Sequence, residues 1–170
     1  FFEKTDHSKE ETVIVSYLNQ NQTSNLSHRR KKELARAIVR FSQKLQLPDG
    51  TMLGEYPPIP SLFLLAWAKT RTDLQPNQAK GYGILALSEI FVREFELSFG
   101  VKINRDYDIQ IDSIQFKLVL LKLKEYLAEG KTAKEAYQKL YGTNLSPNEW
   151  EKLIINYQKI YEYVISESKP

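Results

Sequence analysis

The chain contains no cysteine. Disulfides and thiolate metal sites are therefore excluded, and with them the clue to redox compartment that cysteine usage gives. It has only two histidines, His7 and His28. They stand far apart near one end, form neither a metal site nor a nucleophile relay, and read as surface residues. Gly81-Tyr82-Gly83 lacks both the preceding strand and the following Lys-Ser/Thr of a phosphate-binding loop. No apolar run approaches the roughly 18 residues needed to span a bilayer. There is no internal repeat and no low-complexity tract. Net charge is only +3, from 24 basic and 21 acidic residues, too small to argue for nucleic acid. These absences leave no cofactor, no metal, no nucleic acid and no transmembrane segment among the expectations.

What is present suits one helical domain with a real core. The 170 residues are 42% hydrophobic and 26% charged, ordinary for a globular protein. Ser8-Lys9-Glu10-Glu11 and Thr132-Ala133-Lys134-Glu135 read as capping boxes. Ser146-Pro147-Asn148-Glu149 reads as a third, with Pro at the favoured first helical position. Hydrophobic periodicity predicts helices near 9–19, 28–46, 61–72, 84–98, 110–129, 133–141 and 147–166. Ser61 to Thr72 is apolar nearly all round, the mark of a helix buried at a domain centre. Pro48-Asp49-Gly50-Thr51 and Pro57-Pro58-Ile59-Pro60 bracket the longest irregular segment.

Residues 1–28 read as an appendage, one amphipathic helix with a polar linker, and 29–170 as the main domain. The stripe Val13, Ile14, Tyr17 and Leu18 must be buried, either on the chain's own domain or against a partner, including a second copy. His28-Arg29-Arg30-Lys31-Lys32 is the one strong charge run. Basic residues at a helix start oppose the helix dipole. The run is either a solvated first turn or a surface for anionic polymer, lipid headgroups or nucleic acid. The chain opens on Phe1 rather than Met. That is compatible with removal of a targeting segment, although no signal peptide stands in the sequence.

The stretch Ile59 to Glu89, IPSLFLLAWAKTRTDLQPNQAKGYGILALSE, resembles the catalytic core of the soluble lytic transglycosylases, relatives of goose-type lysozyme. In that family a buried helix ends in Glu-Ser, followed by x-Phe-x-Pro-x-Ala and then Gly-Leu-Met-Gln. Anchored on Pro76, the family's Phe falls on Leu74, its Ser on Thr72 and its catalytic Glu on Arg71. With Gly81 as the motif's Gly, Tyr82, Gly83 and Ile84 replace Leu-Met-Gln, and the connection from Pro76 is shorter than in typical members. Upstream, Leu34 to Phe41 resembles the helix that precedes the catalytic one. Downstream, Ile111 to Leu127 resembles the Asn-Ile-x-x-Gly-x-x-Tyr-Leu helix, with Asp112, Ser113, Phe116, Val119 and Leu120 at the motif positions. Ala133 to Gly142 resembles Ala-Ala-Tyr-Asn-Ala-Gly incompletely, whether Tyr137 or Gly142 anchors it. Asn156 to Ile160 resembles the closing Asn-Tyr-Val-x-Lys-Ile. The likeness runs from about Lys31 to Tyr163.

The resemblance implies an all-α, lysozyme-like fold with an extra N-terminal helix. It also implies an exported, periplasmic protein of the bacterial cell envelope. The family's Glu serves as general acid and then base. A guanidinium stays protonated at neutral pH and cannot do this. Residues 66 to 72 contain no acid at all. The expectation is a pseudoenzyme with no catalytic residue, binding peptidoglycan or an envelope protein as a structural module. Its groove candidates are Arg71, Thr72, Gln75, Tyr82, Ile84, Tyr137 and Tyr141. Arg71 would pair with a ligand carboxylate or be neutralised internally by Asp73 or Glu89. Tyr82, Tyr137 or Tyr141 could stack on sugar; Trp67, Phe63, Trp150 and Tyr157 read as core. Phe116 and the shortened turn favour a filled groove, leaving only the outer faces to act. The alternative is an active enzyme with a relocated acid, Glu55 or Glu89. Arg93 at i+4 offers Glu89 an ion-pair partner, which favours the charged carboxylate, the wrong state for a general acid.

Overall fold

A computed structural model describes residues 7–21, 26–47, 56–77 and 79–168, with side chains from 9 to 167. The described residues are all-helical: α1 (His7–Gln20), α2 (His28–Ser42), α3 (Pro60–Thr72), α4 (Glu89–Phe99), α5 (Asp112–Ala128), α6 (Ala133–Tyr141) and α7 (Glu149–Ser168). Short 3₁₀ turns cover Asp108–Gln110 and Gly142–Asn144. None of these helices is long and apolar enough to cross a membrane.

α3 is the central helix. Pro60 opens it at the position where a missing N–H costs nothing. Every residue from Ser61 to Ala68 is buried, as its lack of a polar face requires. It packs on α7 and α2, while α5 packs on α2 and α6. Phe63, Trp67, Tyr137 and Trp150 form one aromatic cluster with ring centroids 5.1–6.4 Å apart. Phe116 is fully buried. α1 docks on α2 and α7 and buries Ile14, Tyr17 and Leu18 in the same core. Ser16 Oγ and the Tyr163 hydroxyl share a 2.7 Å hydrogen bond, and Lys31 donates to Asn19 across the α1–α2 contact. The chain's own core thus covers this part of the α1 stripe. The Ser8 cap falls outside the described side chains, as does most of the polar linker from the described backbone.

Two predicted boundaries differ from those observed by four residues or more, and α7 begins at Glu149 rather than at Pro147. α2 stops at Ser42, whose hydroxyl bonds back to the Val39 carbonyl. α4 starts at Glu89, not near 84, because Ser88 caps it by accepting from the Phe91 N–H. The apolar residues before it form a tight turn instead, closed by paired backbone bonds between Tyr82 and Leu87 of 2.8 and 2.9 Å. Glycine is required there. A Cβ on Gly83 (φ +68°) would sit 2.5 Å from the Gln115 side chain. A Cβ on Gly81 would sit 2.7 Å from the Ala86 backbone.

Candidate functional site

The C-terminus of α3 delivers Arg71 and Thr72 to the inner side of the 82–87 turn. The helix ends there because Asp73 and Leu74 take left-handed φ of 52° and 67°. The Arg71 side chain is only 3% exposed. Its Nη1 donates to both Glu149 oxygens, at 3.1 and 2.8 Å. Nε donates to the Leu85 carbonyl at 3.3 Å and Nη2 to the Ala86 carbonyl at 3.1 Å. The guanidinium carbon lies 4.0 Å from the centre of the Tyr141 ring. Glu149, the first residue of α7, also accepts from the Tyr137 hydroxyl at 2.8 Å and the Ser146 hydroxyl at 3.1 Å. The Tyr141 hydroxyl accepts from Trp67 Nε1 and donates to Leu85, both at 2.7 Å. The Thr72 hydroxyl donates to the Ile84 carbonyl at 2.6 Å.

The result is a closed polar knot tying α3, the 82–87 turn, α6 and α7 together. Among the described residues no buried side-chain nitrogen or oxygen lacks a partner, as a buried ion pair demands. Its titration follows from this packing. Burial pushes the Glu149 carboxyl up, but hydrogen bonds from Arg71 and Tyr137 and the Arg71 charge overcome that and hold it below the ordinary value. Burial opposes the Arg71 charge, yet Tyr141 and Glu149 raise its pKa further. Burial likewise raises the Tyr137 and Tyr141 phenols. Charges fixed in this way give the knot no group poised to exchange a proton near neutral pH.

Arg71, Thr72, Ile84, Tyr137 and Tyr141, named from the sequence, therefore do come together, but as buried neighbours. Gln75 is exposed, and its backbone N–H donates to the Thr72 carbonyl at 3.1 Å. The partner of Arg71 is neither Asp73 nor Glu89. Asp73 caps α3 and its carboxylate faces Lys69. Glu89 accepts from Arg105 Nε with both oxygens at 3.0 Å, so its salt-bridge partner is Arg105 rather than Arg93. Glu55 lies outside the described residues. Two members were missed from sequence. The sequence marks Glu149 only as part of a helix cap. Gln115, fully buried, receives the Leu85 N–H at 3.0 Å and donates to the Ile109 carbonyl. An amide inside the apolar run of α5 was the available signal for the latter.

Outside the knot lies an open depression of about 760 Å³, lined among others by Lys80, Tyr82, Ser88, Glu89, Ile90 and Arg105. Of the groove candidates only the half-buried Tyr82 reaches it. No protein-family model matches the chain, and no characterised protein or solved structure is significantly similar to it.

Proposed function

We propose that this chain is a non-catalytic, lytic-transglycosylase-like protein of the bacterial envelope, acting by binding peptidoglycan or an envelope protein. The observation that carries the reading is the burial of Arg71 against Glu149 and Tyr141. The position that the resemblance assigns to the catalytic acid holds a permanent cation, walled from solvent and neutralised within the chain. The accessible surface outside the knot includes the depression beside Tyr82. Its exposed Ile90 and half-buried Tyr82 offer apolar faces, and Ser88, Glu89 and Arg105 offer hydrogen bonds. That mixture suits a sugar ring or a peptide.

The test is incubation with insoluble peptidoglycan, assaying released muropeptides and pelleted protein separately. Pelleting without release, weakened by Tyr82→Ala, supports a glycan-binding module. Neither pelleting nor release favours a protein partner. The second reading, an enzyme with a relocated acid, rests on Glu89 lining the depression. Release of anhydro-muropeptides that is lost in Glu89→Gln would establish it and overturn the first.

A further inference from the structure

The basic run at the start of α2 divides once folded. Arg30 is bound to the Asp112 carboxylate through both terminal nitrogens, the Nη2–Oδ1 bond being 2.8 Å. Lys31 is buried against Asn19. Arg29, Lys32, Arg36, Arg40 and Lys44 are all exposed. Lys32, Arg36 and Arg40 recur every fourth residue of α2, so they form one row at steps of about 6 Å, and Lys44 follows just past the helix end. The opposite face of α2, with Leu34, Ala35, Ile38 and Val39, is in the core.

This face concentrates the charge of the protein. α2 holds six Lys and Arg and one Glu, a sum of +5; with Arg30 and Lys31 turned to partners inside the fold, Arg29, Lys32, Arg36 and Arg40 less Glu33 leave +3 on its exposed side, as much as the net charge of the whole chain. The two acids beside the row are already engaged: Glu33 lies 3.2 Å from Arg29, and Glu11 lies 3.8 Å from Arg36. A second depression, about 530 Å³, runs between α1 and α2. His28, Lys32 and Arg36 line one side of it, and hydroxyl and amide groups of Thr12, Ser16 and Asn19 line the other. Glu11 lines it too, paired with Arg36 at 3.8 Å; Lys32 and Arg36 beside the polar groups of α1 suit a phosphodiester.

We propose that the α1–α2 face binds the phosphate headgroups of an anionic lipid surface, with α2 lying along it. The described residues favour a lipid surface over nucleic acid. Among the described side chains of α1 and α2 no Phe, Tyr or Trp ring is exposed for bases to stack on, since Tyr17 is buried and Phe41 half-buried; the exposed ring is the small imidazole of His28. The large exposed apolar side chains, such as Ile90 and Leu97, stand on other elements. Adhesion is therefore electrostatic and shallow, without insertion, and is weakened by salt. It does not depend on the reading of the Arg71 knot.

The experiment is co-sedimentation of the full chain with phosphatidylcholine vesicles, with and without phosphatidylglycerol, at low and high salt. The expected result is binding only to the anionic vesicles and only at low salt. Each Lys or Arg held near such a surface is worth about a fivefold change in partition. Lys32→Gln/Arg36→Gln/Arg40→Gln/Lys44→Gln should thus lose binding by roughly several hundredfold. Arg36→Lys/Arg40→Lys keeps the charge and should retain it. Arg93→Gln/Lys117→Gln/Lys124→Gln, exposed bases on α4 and α5 rather than on the α1–α2 face, should bind nearly as the native chain does. Equal binding to neutral vesicles, an unaffected quadruple variant, or an equal loss in the distant triple variant would overturn the proposal. Preferential capture of an oligonucleotide by the same four residues would overturn it in favour of nucleic acid.

Discussion

Replacing Arg71 by Met removes the guanidinium while keeping much of its apolar stem. It leaves the Glu149 carboxylate buried with only the Tyr137 hydroxyl and the Ser146 hydroxyl and N–H as donors. It also strips a donor from each of the Leu85 and Ala86 carbonyls. Removing one partner of a buried ion pair costs roughly 3–5 kcal/mol, against a total stability of about 5–15 kcal/mol for a typical domain. Chemical denaturation of Arg71→Met should therefore show a loss of about that size. Glu149→Gln leaves the Arg71 cation buried without a counter-ion and turns one accepting oxygen into a donor that faces donors, so its loss should be of similar size. Because both substitutions break the same contact, their combination should fall short of the sum by about 0.5–3 kcal/mol. A loss below about 1 kcal/mol for Arg71→Met, or strict additivity, would refute the claim that this pair locks the site.

Three further outcomes follow from other parts of the fold. Gly83→Ala places a Cβ against Gln115 at a left-handed φ, so thermal denaturation should show a drop of several degrees, from about 1–3 kcal/mol of strain. Glu96 is pulled from 4.5 to about 2 by its hydrogen bonds from Arg105 and the Ile103 N–H. Its contribution is present above 4.5 and lost as pH falls toward 2, and Glu96→Gln should flatten the melting temperature across that window. Burial pushes Tyr17 up to about 12 and raises Tyr137, Tyr141 and Tyr157 as well. Their neutral forms stabilise the fold below the ordinary phenol value of 10, an effect lost as alkali is added, so ultraviolet titration should show these four ionising only with unfolding.

The helices were legible because local signals specify them. Thr132 and Glu135 form both hydrogen bonds of the capping box, and the all-apolar stretch of α3 is the buried centre of the molecule. The site was legible only as a set of positions. Arg71 stands out against the motif the chain resembles, but its partner is 78 residues away on another helix. Spacing along a chain carries no information about such a pair, which is why nearby acids were the natural guess. The turn at 82–87 was misread for a related reason. Its apolar residues match a helix by pattern, but Ser88 caps the helix only after them and Ala86 takes φ +51°. Likewise, five adjacent basic residues look equivalent in sequence. Only packing shows that Arg30 and Lys31 serve the interior and Lys32 the surface.

On the proposed reading, Arg71→Glu puts an acid where the resemblance assigns one and tests whether a single residue would supply the family's chemistry. Here that carboxyl would enter a pocket already holding Glu149, with Tyr141 at one side and the carbonyls of Leu85 and Ala86 facing it. Two carboxyls in one buried site cannot both ionise, so one is forced to hold a proton. The proton would be trapped, however, because the Arg71 position is nearly sealed from solvent. A general acid must reach the oxygen it protonates. The substitution should therefore destabilise the chain by at least as much as Arg71→Met and release no muropeptides. Arg71→Glu/Glu149→Gln, which removes the second charge, should regain part of the stability and still release none. Anhydro-muropeptide release by either variant would mean that the groove opens in solution and that only the acid was missing.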